Sequence, residues 1–245
     1  MVLPILVALV VADSAAVKVG SDAYVVGPPL RVGVSISSPQ FSRDSRYLTL
    51  FDERPEPNYE TQKARLAQGV TSRTPQVVRW DLRRGNREVV YTVKPDEVLM
   101  RTEPVGPGGD LLISVAVGVP QGTNLTWRAY FAPTVGSPRL LVDGVQARSF
   151  QFAASRTDRR AFVLIVNEAE PTRYLFVTPD RTETRELPVR GYQGIFQFRN
   201  ADGNAVVGLQ GPPPNYAVIA QYELDFSTGE SRPTGANTEP DAEDD

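Results

Sequence analysis

Ser38-Pro39-Gln40-Phe41-Ser42-Arg43-Asp44-Ser45-Arg46-Tyr47-Leu48-Thr49-Leu50-Phe51 carries the pattern on which the reading of the whole chain depends. An apolar entry ends at Phe41, a polar turn built on Asp44 follows, and Tyr47 to Phe51 is a short apolar run. Runs of this kind, bounded by turn residues, read as strands joined by tight turns. The same order returns three times. Val105-Gly106-Pro107-Gly108-Gly109-Asp110 leads into Leu111-Leu112-Ile113, and Arg156-Thr157-Asp158-Arg159-Arg160 leads into Ala161-Phe162-Val163. Asn200-Ala201-Asp202-Gly203-Asn204 leads into Ala205-Val206-Val207.

Each unit also continues in the same way, with a later apolar strand, a turn and a short last strand. The first has Val77-Val78-Arg79-Trp80-Asp81-Leu82, then Arg83-Arg84-Gly85-Asn86, then Arg87-Glu88-Val89-Val90-Tyr91. The third has Tyr174-Leu175-Phe176-Val177 before Thr178-Pro179-Asp180, and the fourth has Ala217 to Asp225 before Ser227-Thr228-Gly229. Asp158 and Asp202 are 44 positions apart, close to the ~40–45 residues of a four-stranded propeller blade. Helical periodicity is scarce, and only Tyr59 to Gln68 is rich in helix formers. Several strands are apolar on both faces, which places them in sheets packed between other sheets. The expectation is an all-β, propeller-like array of four-stranded blades at about 36–93, 94–145, 146–190 and 191–233. Val17-Lys18-Val19 and Ala23-Tyr24-Val25-Val26 read as further strand pieces that could belong to a fifth blade.

Ser38 to Leu48, followed by Val77-Val78-Arg79-Trp80-Asp81-Leu82, resembles the repeat of TolB-like (WD-type prokaryotic) β-propellers. That repeat runs roughly Pro-x-Phe-Ser-Pro-Asp-Gly before an apolar strand, and closes a later strand on Asp-Leu. Ser45 stands in place of its turn Gly and Arg43 in place of its Pro; the other three units match in outline. The resemblance spans about residues 36–233 and implies a fold, since such folds host many functions.

Composition removes whole classes of chemistry. The 245 residues, one domain or at most two, include no histidine and no cysteine. A Ser-His-Asp triad, a thiolate nucleophile and histidine- or cysteine-bound zinc are therefore excluded. No cofactor is expected. The segment from Thr234 onward has no large apolar residue and reads as a disordered acidic tail. Net charge is −3, but without the five acids of 239–245 the remainder is 26 basic against 24 acidic residues. A near-neutral body without a long basic run argues against nucleic-acid binding. Residues 2–12 are apolar but too short to span a bilayer, which needs about 20 residues. Followed by Ser14-Ala15-Ala16, they read as a signal-peptide core with export to the periplasm or medium; the alternative is a buried strand in a cytoplasmic protein.

Candidate sites are few. Asp44, Asp158 and Asp202 recur at one position per blade and are expected to cap their own turns. The 200–204 turn lacks the closing Glu of a calcium loop. Ser42-Arg43-Asp44 and Ser155-Arg156-Thr157-Asp158 resemble the Asp-box turns of sialidase propellers, without the Gly and aromatic residue that follow there. Trp80 and Trp127 are expected between blades. Residues 53–74 interrupt the first unit between its second and third strands, and Arg54, Tyr59, Lys63 and Arg65 within them are the candidate partner-binding residues. Gly211-Pro212-Pro213-Pro214-Asn215-Tyr216 is a stiff connection or a small docking element. The functional expectation is a non-catalytic, extracytoplasmic binding module whose partner is another protein or an envelope component. Its rivals are a carboxylate-dependent glycan hydrolase and one segment of a larger propeller.

Overall fold

Ala161-Phe162-Val163-Leu164-Ile165-Val166 is apolar at every position, so both faces of its strand must be covered. The computed structural model describes residues 16–19, 22–25, 36–52, 75–121, 124–199 and 203–234. In it Ala161, Val163 and Ile165 enter one apolar core while Phe162, Leu164 and Val166 enter another. Among the described residues there is no helix. Residues 1–34 form a unit of their own, in which β1 (Ala16–Val19) pairs antiparallel with β2 (Asp22–Val25).

The second unit holds four sheets, each made of four consecutive antiparallel strands. The first is β3 (Ile36–Phe41), β4 (Tyr47–Asp52), β5 (Gln76–Asp81) and β6 (Asn86–Thr92). The second is β7 (Glu97–Val105), β8 (Asp110–Gln121), β9 (Asn124–Ala132) and β10 (Arg139–Ala147). The third is β11 (Ser149–Ala154), β12 (Ala161–Val166), β13 (Arg173–Val177) and β14 (Thr182–Glu186). The fourth is β15 (Gln193–Arg199), β16 (Ala205–Gln210), β17 (Val218–Leu224) and β18 (Ser231–Pro233). The first strands of successive sheets adjoin, β3 with β7, β7 with β11 and β11 with β15. This is the all-β array of four-stranded blades that the repeats lead one to expect.

Three apolar cores lie between the four sheets. Phe51, Val77 and Tyr91 of the first pack on Leu111, Ile113 and Tyr130 of the second. Trp127 and Phe131 of the second meet Phe150, Val163 and Leu175 of the third, with the Trp127 and Phe150 rings stacked at 4.9 Å. Phe162, Leu164 and Phe176 of the third meet Val207, Tyr222 and Leu224 of the fourth. Each such side chain contributes roughly 1.5–3 kcal/mol on burial. The outermost strands are polar by comparison: β14 reads Thr-Glu-Thr-Arg-Glu, and charges of this kind blunt a sheet edge. Trp80 does not join the core between the first two sheets. Arg79 points at the second sheet, so its neighbour Trp80 faces the other way. Trp80 is half-buried, and its buried Nε1 has no hydrogen-bond partner.

The meander gives each sheet two distinct ends. Turns between first and second strands, and between third and fourth, gather at one end, the turn end. Connections between second and third strands leave from the other, the loop end. The chain leaves β4 at Asp52 and enters β5 at Gln76 at the loop end.

Candidate functional site

Several turns at the turn end are held by their own polar side chains. Asp44 accepts from Ser42 Oγ at 2.6 Å and from the Arg46 amide at 3.0 Å, capping its own turn as expected. Asp81 accepts from the amides of Arg83 and Arg84, and Asp225 from the amide and hydroxyl of Ser227. The Arg46 side chain bonded to Asp81 holds that carboxyl below the usual range, and the Ser227 hydroxyl does so for Asp225. Asp158 behaves differently from Asp44. In its turn Ser155 Oγ accepts the amides of Thr157 and Asp158, while Asp158 Oδ1 is buried and accepts no hydrogen bond. The serine has taken over the capping. Asp202 lies outside the described residues.

Neighbouring turns are laced together across sheets. The Asp44 amide donates to Pro107 O at 3.0 Å and the Gly106 amide to Ser155 O at 2.9 Å. Arg43 Nη1 reaches from the first sheet to Arg156 O in the third at 3.0 Å. Arg160 donates to Phe226 O and Ser227 O in the fourth. Asp110, buried in the second sheet, is ion-paired with Arg159 of the third.

These braced turns enclose a cavity of about 750 Å3, walled by Arg43, Arg156, Asp158, Glu223, Asp225 and Glu230 among others. A second cavity of about 350 Å3 shares Arg43, Ser155 and Arg156 with it and is also lined by Phe41, Glu103 and Ala154. Both volumes fall near or within the range of small-molecule sites, about 300–1,000 Å3. The glutamates of the two walls are engaged. Glu223 is bound by Arg232 at 2.8 Å and Asn204 at 2.7 Å, Glu230 by Arg185 at 2.9 Å, and Glu103 by Arg101 at 2.9 Å. Arg43 and Arg156 form no ion pair with a described residue.

Of the residues expected to contact a partner, Arg54, Tyr59, Lys63 and Arg65 all lie outside the described residues. Described groups at the loop end include Arg148, stacked 3.4 Å over the Tyr192 ring, and Tyr192 set edge-on to Tyr216 at 5.7 Å. Sequence reasoning passed over Arg43 and Arg156. A usable signal was present, because each follows the serine that opens the turn between first and second strands. Among the described residues, no group of three or more Asp or Glu side chains is placed to hold a metal ion, and no helix is long and apolar enough to cross a membrane.

No family model and no curated protein matches this chain. Among solved structures it is similar to an oligogalacturonate lyase in complex with manganese, at 16% identity and a TM-score of 0.49, over 84% of this chain and 55% of that one. It is similar to TolB from Acinetobacter baumannii at 15% identity and a TM-score of 0.41, over 89% of this chain and 48% of that one. It is also similar to the β-propeller domain of the Trilobed protease from Pyrococcus furiosus, at 16% identity and a TM-score of 0.40, over 81% and 54%. The chain spans about half the length of these structures. The assignment of an array of four-stranded blades rests on the four meandering sheets.

Proposed function

We propose that the chain is a non-catalytic binding module on a blade array, working outside the cytoplasm, with another protein or an envelope component as its partner. The observation that carries this reading is the condition of the carboxylates around the turn-end cavity. A carboxylate-dependent glycosidase needs one acid kept protonated near neutral pH beside one that is ionised. Here Glu223 and Glu230 are tied to arginines, and the Ser227 hydroxyl keeps Asp225 ionised. Among the described residues the carboxyls that shift clearly, Asp81, Glu97, Glu183 and Asp225, all shift down. Such groups fasten turns and sheets. Recognition on this reading uses the loop end and the 53–74 insertion with Arg54, Tyr59, Lys63 and Arg65, because connections vary where strands are committed to packing.

The test passes the native envelope fraction over the immobilised protein and incubates glycans from that fraction with the free protein. The expected result is a retained component and no new reducing ends. Reducing ends released by the wild type and lost in Glu223→Gln or Asp225→Asn overturn the reading in favour of the hydrolase. The proposed location has its own check, since natively produced protein that keeps Met1 and stays in the cytoplasm contradicts it.

A further inference from the structure

We propose that the turn-end cavity binds a small ligand through its carboxylate, held between Arg43 and Arg156, with an ammonium or N–H donor beside it facing Asp158. The ligand class is an amino acid or the carboxy terminus of a peptide. The site is at the opposite end of the sheets from Asp52 and Gln76, and none of its lining residues belongs to the insertion.

The two arginines come from the first and third sheets, and the second sheet makes room for their meeting. Its turn is Gly106-Pro107-Gly108-Gly109, with no side chain larger than a proline ring. Gly106 lies directly against the third sheet's turn; a Cβ there would stand 2.5 Å from Asp158 O. The bond from Arg43 Nη1 to Arg156 O then spans the gap and fixes the Arg43 head. Nearby acids are already matched, Glu103 with Arg101 and Glu223 with Arg232. The Arg43 and Arg156 guanidinium groups, both in the lining that the two cavities share, form no ion pair with a described residue. A guanidinium presents planar pairs of N–H donors that fit a carboxylate edge.

A second observation comes from the same wall. The Asp158 side chain is 40% exposed on the cavity wall, and its buried Oδ1 accepts no hydrogen bond. Arg160 is near the other oxygen, 3.8 Å from Oδ2. An ammonium or N–H donor on the ligand would meet the exposed part of this carboxylate. Two guanidinium heads without an ion pair to any described residue and one half-exposed carboxylate in a single cavity describe a molecule with an anion and a donor close together. Amino acids and peptide carboxy termini have that arrangement.

The experiment is calorimetric titration of the full chain at low ionic strength, where exposed charges are least screened. The probes are triglycine, triglycine amide and alanine. The expected result is saturable binding of triglycine or alanine, with the amide at least about tenfold weaker than triglycine, the loss of one charge-assisted contact. Tighter binding of triglycine than alanine assigns a peptide terminus; equal or tighter binding of alanine assigns a free amino acid. Arg43→Gln with Arg156→Gln should erase the carboxylate preference, while Arg190→Gln, outside the cavity, keeps it. Should the double variant lose its cooperative melt, Arg156→Gln alone serves, since that side chain has no described partner to lose. The proposal is overturned if neither probe saturates, if the amide binds as well as triglycine, or if a folded arginine variant keeps the tenfold preference.

Discussion

Arg79 in the first sheet donates from Nη1 to the main-chain oxygen of Gly109 in the second, and the absence of a side chain at Gly109 is what lets it do so. A Cβ at 109 would stand 2.7 Å from the Tyr47 ring and 3.1 Å from Arg79 Cδ. From Nη2 the same guanidinium reaches Pro133 O at 3.0 Å and Thr134 O at 3.2 Å, and it is ion-paired with Glu88 behind. One buried head therefore satisfies three carbonyls of the neighbouring blade. Arg79→Met keeps the aliphatic stem and removes every one of those donors. Urea unfolding should show a loss of about 2–4 kcal/mol, the usual result of stranding buried polar groups. The midpoint should fall without a change in slope. A loss under about 0.5 kcal/mol would mean that the blades are held by their apolar core alone.

Gly106 and Gly85 share a backbone φ of 68°, but their surroundings differ. Nothing stands within 4 Å of a Cβ at Gly85, while at Gly106 it would meet Asp158 O at 2.5 Å. Gly85→Ala should therefore cost only the conformational penalty of a left-handed residue, about 1–2 kcal/mol. Gly106→Ala adds the steric term and should be at least about 1 kcal/mol worse. Equal losses in thermal melts would show that the second and third turns part easily.

Ser45 has a φ of 55°, the left-handed region, in the position where the TolB-like repeat carries glycine. Ser45→Gly relieves that strain while adding freedom to the unfolded chain. The balance should be a gain of up to about 1 kcal/mol. A lower melting temperature for Ser45→Gly would show that the serine contributes something besides its backbone.

Glu97 is fully enclosed between the first two sheets. Burial works to raise its carboxyl, but the Tyr91 hydroxyl, the Lys94 amide and the Arg128 guanidinium outweigh that and hold it below the ordinary glutamate value. Arg128 Nη1 is 2.6 Å from Oε1, and the Lys94 amide 3.0 Å from Oε2. A carboxyl depressed in the folded state stabilises it fully above the unfolded value, about pH 4.3 for glutamate. That contribution disappears as pH falls through the lower folded value. Stability should thus be level above about pH 5 and fall steadily below pH 4. Glu97→Gln should start lower at pH 7 and show a shallower acid slope in denaturant titrations. An unchanged slope would place the acid sensitivity elsewhere, for instance at Asp81 or Asp225.

The sheets are legible in the sequence because every pairing is local. Leu48 lies opposite Trp80, Phe162 opposite Phe176 and Val207 opposite Tyr222, each within one unit of the repeat. Polar turns and apolar runs are enough to mark such units. The cavity is not legible in that way. Arg43 and Arg156 are 113 positions apart and meet only because three sheets stack and the middle turn is glycine-rich. Nor do 23 arginines in one chain single out two, since what sets these apart is that both line the same cavity without an ion pair to a described residue. Asp158 shows the same limit, because a residue type suited to capping a turn is left uncapping once Ser155 does the work. The two tryptophans differ by strand parity. Trp127 packs on Phe150, whereas Trp80 follows Arg79 and so turns from the second blade.

The insertion supplies the last prediction. Residues 53–74 separate Asp52 from Gln76, yet β4 and β5 pair in unbroken register from Tyr47 opposite Asp81 to Asp52 opposite Gln76. The pairing is complete on either side of the connection, so the strands do not need that connection's length to find their partners. Lengthening or shortening a connection between paired strands changes closure entropy only slowly, by about 0.6 kcal/mol per doubling. The segment is also poor in large apolar residues and carries Arg54, Tyr59, Lys63 and Arg65, which suit specific contacts. Replacing Glu56–Ser72 by a short Gly-Ser bridge should leave the melting temperature within a few degrees of the wild type. The same variant should fail to retain the envelope component captured by the intact chain. Leu48, Leu50 and Val78 of the first sheet, all buried and in none of the three inter-blade cores, make the stability arm a demanding one. A large drop in melting temperature with new binding of a hydrophobic dye would assign residues 56–72 a part in covering that face. Unimpaired capture by a folded variant would move recognition away from the insertion.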